Sequence, residues 1–249
     1  IGHVKKTKMK KLLLTGGNGE FSKHLIKCGN NFKILSPSKS KLDIRYYSTV
    51  DNYFNKYDVD FDCVIHTAAI TRPMVIHEDN FQLSIHTNII GTANIVLMCE
   101  KYNKKIVYIS TDYVYPGTVG NYKESDDLNP FTKYGWSKLG GECAVKMYDN
   151  HLILRMAMNK KPFPHLKALS DMKKSLMYIE DAAKITLQLL DETGVINVGG
   201  KSQPVYEFVK EVNPDVEPIS LSEISDVNMA TDCSMNTTKM KNAIDDSAI

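Results

Sequence analysis

Short apolar runs recur along this chain at Lys11–Thr15, Phe32–Leu35, Asp62–His66, Lys105–Ser110, His151–Arg155 and Gly194–Val198. They are too short for helices, and most lack polar alternation, as strands buried on both faces should. Between them lie Glu20–Cys28, Val50–Tyr57, Phe81–Tyr102, Thr132–Tyr148 and Ile179–Asp191, with apolar residues at helical spacing. A chain that alternates in this way builds an α/β fold, a parallel sheet with helices on both faces. Right-handed crossovers make that sheet doubly wound.

The 249 residues, 43% of them hydrophobic, suffice for one sizeable core and a small appended lobe. From Lys201 onward the chain changes character, with Pro204, Pro214 and Pro218, one helical stretch at Val205–Val212, and then mostly polar sequence. We expect residues 9–155 with 176–200 to form a nucleotide-binding domain, and 156–175 with 201–249 a small C-terminal substrate lobe. A net charge of +2 calls for neither nucleic acid nor a membrane surface as partner. The five cysteines are scattered without zinc spacing, which predicts no metal site and suits a reducing, cytoplasmic setting. No apolar run reaches transmembrane length. The basic stretch before Lys11 leads into a strand pattern rather than a signal-peptide core, and Met9 is the expected natural start.

The first run passes directly into Thr15-Gly16-Gly17-Asn18-Gly19-Glu20-Phe21-Ser22. A turn this tight needs residues without Cβ, and its backbone must approach a pyrophosphate at the next helix's N-terminus. Gly16 and Gly19 take the first two positions of G-x-x-G-x-x-G; Ser22 replaces the third glycine and should loosen helix–strand packing slightly. This is the phosphate turn of a Rossmann sheet when it sits between strand and helix. Asn18, Glu20 and Phe21 complete it. An NAD site usually ends its second strand with an acidic residue. Here the second strand leads into Ser36-Pro37-Ser38-Lys39-Ser40-Lys41, whose hydroxyls and ammonium groups suit a 2′-phosphate. NADPH is therefore the expected cofactor, with Ser36, Ser38 and Lys39 at the phosphate; a solvated basic loop is the plainer alternative. Asp43 and Ile44 fall where an adenine contact is expected.

Tyr134 and Lys138 stand at i and i+4 and share one helix face. A phenol titrates near pH 10, and a neighbouring ammonium is expected to lower that so the pair can protonate a carbonyl. Tyr206 and Lys210 have the same spacing, so spacing alone chooses nothing; that pair lies in the tail and reads as an ordinary helix face. Upstream, Ser110-Thr111-Asp112-Tyr113 ends a buried strand, where open α/β sheets bind ligands. Thr111 is placed to bond a substrate oxygen. Asn88, inside the long helix, either faces solvent or holds a water that feeds protons to Lys138.

Together, Gly16 to Gly19, His66-Thr67-Ala68-Ala69, Asn88, Ser110-Thr111-Asp112 and Tyr134/Lys138 resemble the extended short-chain dehydrogenases. The phrase S-T-D-Y-V-Y-P-G followed by Y-G-x-S-K is similar to the dTDP-4-dehydrorhamnose reductase family. The resemblance covers roughly residues 10–200, with the motifs in the family's order. It implies reduction by NADPH of the C4 ketone of a nucleotide-linked 4-keto-6-deoxyhexose. Tyr134 would be proton donor, Lys138 its pKa modulator and Thr111 the partner of the keto oxygen. His66 to Ala69, with Ser110, would line the cofactor, and Asp112 and Tyr113 the substrate. Thr71-Arg72-Pro73 further resembles the bifunctional UDP-rhamnose enzymes, of giant-virus type, that epimerise C3 and C5 before reducing C4. Those enzymes carry a cysteine after the Arg-Pro pair; here His77 or Glu78 would be the base, with His165 a second acid/base. Family members often dimerise through helices such as Phe81–Tyr102 and Thr132–Tyr148. Here 156–178 is short for the family, and Met156 and Met158 stand where a Trp is common.

Only three arginines occur. Arg72 and Arg155 both follow strands at the expected ligand edge, so at least one is expected to meet the substrate's diphosphate or sugar. Two other readings keep the fold: an epimerase or dehydratase holding NAD(P) tightly, and a non-catalytic regulatory subunit.

Overall fold

The computed structural model describes residues 9–56, 60–224 and 230–244. Strands β1 (Lys11–Thr15), β2 (Lys33–Leu35), β3 (Cys63–His66), β4 (Lys105–Thr111), β5 (His151–Met156) and β6 (Gly194–Val198) form one six-stranded sheet in the order β6-β5-β4-β3-β1-β2. Every pairing in it is parallel. The doubly wound α/β architecture is the one expected.

Burial explains why these strands lack polar alternation. Leu12 and Leu14 of β1, Cys63 and Ile65 of β3, Val107 and Ile109 of β4, and Leu152 and Leu154 of β5 join one apolar cluster. The intervening Leu13, Val64, Ile106, Tyr108 and Ile153 join another on the opposite face. Helices α1 (Glu20–Cys28) and α5 (Ile179–Gln188) close the first face; α2 (Tyr47–Lys56), α3 (Gly91–Lys101) and α4 (Lys133–Lys146) belong to the second. Alternate side chains of a strand point to opposite faces, so both sets must be apolar.

The segment expected as one helix from Phe81 to Tyr102 is interrupted. A short helix, Phe81–Ser84, passes into a π-helical turn, Ile85–Ile90, before α3 begins. Such turns accommodate an inserted residue and often mark functional positions. Buried Asn88 lies in it.

The small lobe has its own cluster, including Tyr115, Tyr122, Ala157, Ala168, Met172, Leu176, Val205 and Phe208. The stretch after β4 thus supplies part of the lobe, which the expected boundaries had placed in the other domain. Conversely, Met240 and Ile244 pack into the first face of the sheet, so the helix Thr238–Ala243 leaves the lobe. No described helix is long and apolar enough to cross a membrane.

Arg155 overturns the expectation of a ligand contact. It is fully buried, and Nη2 and Nε donate to the Glu142 carboxylate at 2.8 and 3.1 Å. Its Nη1 donates to the Tyr115 hydroxyl at 2.8 Å, and Tyr115 in turn donates to Asn197 Oδ1 at 2.8 Å. Glu142 also accepts from Ser110 Oγ at 2.5 Å, so Ser110 faces this network rather than a cofactor. Burial opposes the guanidinium charge, but Glu142 outweighs it and raises the Arg155 pKa. A buried charge demands such a partner. Glu142→Ala should destabilise the protein by about 3–5 kcal/mol in urea unfolding, because it strands a buried cation. The matched apolar pair Glu142→Leu/Arg155→Met should lose much less.

Candidate active site

The strand order reverses between β1 and β3, and ligands of open α/β sheets bind at such a point, outside the carboxyl ends. Thr15 and His66 end those strands. Gly16 has φ +70°, and a Cβ on it would lie 2.7 Å from the Ala68 Cα. Gly17, which the motif left unassigned, is constrained less: a Cβ there would lie 1.7 Å from the Ser36 Oγ, a hydroxyl that can rotate away. Gly19 N donates to Gly16 O at 3.0 Å and caps α1 without a side chain, leaving the helix start to backbone N–H groups. Asn18 and Glu20 are exposed at this turn, whereas the Phe21 side chain belongs to the core. Only the Phe21 backbone is available to a ligand.

Ser22 does not loosen the packing. It is buried and its hydroxyl bonds Thr67 Oγ1 at 2.7 Å; Thr67 donates onward to the Thr15 carbonyl at 2.5 Å. A polar side chain can replace the glycine here because it finds a partner across the helix–strand interface. Ala68 N donates to Thr15 Oγ1 at 3.3 Å, and Ala69 is half-buried beside it. His66 bonds Thr15 at 2.7 Å and Thr92 at 3.0 Å, and burial pushes its pKa down to about 3.

Ser36, Ser38 and Lys39 are exposed after β2, with Ser38 and Ser40 hydroxyls 2.8 Å apart. The Asp43 carboxylate is taken by Arg45, whose Nη2 donates at 2.6 Å; that bond holds its pKa below the usual range. Ile44 is buried and its carbonyl accepts from Asn94. The expected adenine edge is therefore already partnered on its carboxylate side.

The second half of the site grows from β4. Thr111 caps the turn Asp112–Val114, accepting from Tyr113 N at 3.3 Å and donating to Asp112 Oδ1 at 3.1 Å. Tyr134 sits in the first turn of α4, which Thr132 caps by accepting from Gly135 N at 3.0 Å. Gly135 lets that helix start approach the turn after β4: a Cβ there would lie 2.3 Å from the Tyr113 carbonyl oxygen. Tyr134 is thus brought against Thr111, with its ring 5.1 Å from His77 and 6.1 Å from Tyr113. Burial pushes its phenol up to about 12, against the lowering effect of the Thr111 hydroxyl.

Lys138 departs from the expected role. It is buried, its Nζ donates to the Ile109 carbonyl at 2.7 Å rather than to Tyr134, and it lies 4.1 Å from the Tyr108 ring centre. Burial pushes its pKa down to about 7. Asn88 spends both its donors, on the Ile70 carbonyl and Ser137 Oγ at 2.9 Å each, and accepts from Ile70 N at 2.8 Å. Ser137 then donates to the Tyr134 carbonyl at 2.7 Å. The amide therefore clamps the loop after β3 to the turn carrying Tyr134.

Thr71 and Arg72 are exposed on that loop. His77 is buried against Tyr134, its Nδ1 2.7 Å from Ser84 Oγ, and burial lowers its pKa. Glu78 is exposed and paired with Lys133 at 2.8 Å, and His165 is exposed beside Phe163. Tyr206 and Lys210 share a short lobe helix, cation over ring at 5.1 Å. Among the described residues, no three His, Cys, Asp or Glu side chains cluster as a metal site would require.

One site residue escaped the sequence. Lys174, from the lobe, is largely buried with Nζ 2.8 Å from Asp112 Oδ2 and 4.1 Å from the Tyr113 ring centre. No local spacing links it to Asp112; only the folding of the lobe onto β4 does.

The family model described as the RmlD substrate binding domain matches residues 9–159. The chain belongs to that family. A dTDP-4-dehydrorhamnose reductase of Aggregatibacter actinomycetemcomitans is 26% identical over 204 residues, 74% of this chain and 68% of that one. The methionine adenosyltransferase 2 subunit beta of Bos taurus is 30% identical over 147 residues, 55% of this chain but only 42% of that protein. The crystal structure of dTDP-4-dehydrorhamnose reductase from Bacillus anthracis, in complex with NADP, superposes with TM-score 0.82 at 23% identity, covering 94% of this chain and 91% of that one. The family fold is thus present from the glycine turn through the small lobe.

Lys138 carries a consequence for stability. Its folded pKa, about 7, lies below the unfolded value near 10.5, so the buried cation costs most at low pH. Lys138→Met should stabilise the ligand-free protein by at most about 5 kcal/mol below pH 7, reduced by loss of the bond to the Ile109 carbonyl. That gain should fade as pH rises from 7 toward 10.5. Urea unfolding across this pH range measures it.

Proposed function

We propose that this RmlD-family chain is an NADPH-dependent reductase of a nucleotide-linked 4-keto-6-deoxyhexose, with UDP or dTDP as the nucleotide. The observation that carries the reading is Tyr134 packed against Thr111 at the carboxyl end of β4, two strands from the glycine turn. The names of the Aggregatibacter and Bacillus relatives support it. The residues present suit the cofactor: Gly16 and Gly17 leave backbone room for a pyrophosphate, and Ser36, Ser38 and Lys39 offer polar and cationic groups for a 2′-phosphate. Bound NADPH supplies the hydride.

Thr111 and Tyr134 hold the keto oxygen between two hydroxyls, and Tyr134 delivers its proton to that oxygen as the C4 carbon becomes tetrahedral. A phenol held at about 12 stays protonated at neutral pH, as an acid must. Arg72, exposed on the loop after β3, is the arginine left free by burial of Arg155 to meet the substrate's diphosphate. Any epimerisation at C3 and C5 falls to His77, the imidazole against Tyr134, since Glu78 is engaged by Lys133. Exposed Ile85, Ile90, Leu97 and Trp136 around α3 and α4 support a homodimer through that face.

The test incubates the protein with UDP- and dTDP-4-keto-6-deoxysugars and follows NADPH absorbance. Tyr134→Phe should slow oxidation at least about 100-fold while leaving the NADPH Kd unchanged. Deuterium at C3 or C5 after reaction in D2O reports epimerisation. NADPH binding without turnover of any nucleotide sugar overturns the reading in favour of a non-catalytic subunit. Cofactor choice has a separate check: Lys39→Glu should raise the NADPH Kd about tenfold and leave NADH binding unchanged.

A further inference from the structure

The groups around the Tyr134 phenol come from several elements. Thr111, Asp112 and Tyr113 come from the turn after β4, and His77 from the short helix Ile76–Asp79. Lys138 lies on the phenol's own helix, and Lys174 comes from the lobe. Two of these carry cations, and the one in the expected place is turned away: Lys138 gives its hydrogen bond to Ile109. Asn88 is committed to Ile70 and Ser137. The remaining cation is Lys174. Its side chain is only 12% exposed, and its partner Asp112 is 2% exposed. A lysine buried to this degree is costly unless it is paired. The pair continues into the reaction centre, because Asp112 Oδ1 accepts from Thr111 Oγ1 and Thr111 borders the phenol.

We propose that Lys174 is a positioning residue of the reductase site: by locking Asp112 it aims the Thr111 hydroxyl at the shared substrate position and presents a positive field to Tyr134. The inference rests on the reductase reading above. It makes the reaction centre complete only when the small lobe is seated on β4. It also divides two opposing charges on Tyr134, Asp112 disfavouring the phenolate and Lys174 favouring it.

The experiment compares Lys174→Met, Lys174→Gln, Lys174→Arg and Asp112→Asn with the parent enzyme. Lys174→Met and Lys174→Gln should lower kcat about tenfold or more with the NADPH Kd unchanged, and Lys174→Arg should restore most of it. In kcat/KM the alkaline limb, where the acid Tyr134 is lost, should move up when Lys174 loses its charge and down in Asp112→Asn. Opposite displacements cannot come from a merely structural pair. If both variants move the limb the same way, or neither moves it, the proposal is overturned. Should the parent enzyme reduce no nucleotide sugar, the reductase reading fails. The field of Lys174 is then read from the onset of the Tyr134 ring 13Cζ titration in the NADP-bound protein, assigned with Tyr134→Phe. Opposite displacements there uphold the role of Lys174 at Tyr134, and equal ones overturn it.

Discussion

The buried pairing of Arg155 with Glu142 is the contact on which the arrangement of the molecule hangs. It ties β5 to α4, and through Ser110 and Tyr115 it reaches β4 and the lobe. Each partner is fully buried, so neither tolerates the loss of the other. The pair therefore sets how α4 lies on the sheet, and α4 carries both Tyr134 and Lys138. The placement of the reaction centre follows from an interaction that touches no ligand.

A second constraint is the closeness of backbones at the glycine turn. Gly16 against the Ala68 backbone leaves no space for a side chain, so the ends of β1 and β3 meet closely there. The Ser22–Thr67–Thr15 bonds hold that junction from behind. Polar groups in the interior here are each partnered locally, as buried polar groups must be. Lys138 is the counterpart case: a cation kept inside at a cost to stability.

Much of this was legible in advance. Continuous apolar runs announced strands buried on both faces, and the glycine turn fell between the first strand and the first helix as expected. What misled was position without environment. Arg155 follows a strand like a ligand-binding residue, yet Glu142 waits one helix away in space. Ser110 and Asp43 carry suitable groups that Glu142 and Arg45 already occupy. The helix from Phe81 read as continuous because the π turn Ile85–Ile90 runs straight into helical segments on both sides without a Gly or Pro break before it.

By itself the order of residues determined the doubly wound sheet and the strand–glycine–helix turn, because those rest on local periodicity and on residues adjacent in the chain. Tertiary structure alone decided which polar groups remain available. Whether Ser110, Lys138, Asn88 or Arg155 faces a ligand depends on partners distant in the chain, since a buried polar group takes whatever partner the fold brings within reach. Lys174 shows the same rule in reverse, reaching Asp112 from the lobe with no signal in its neighbours.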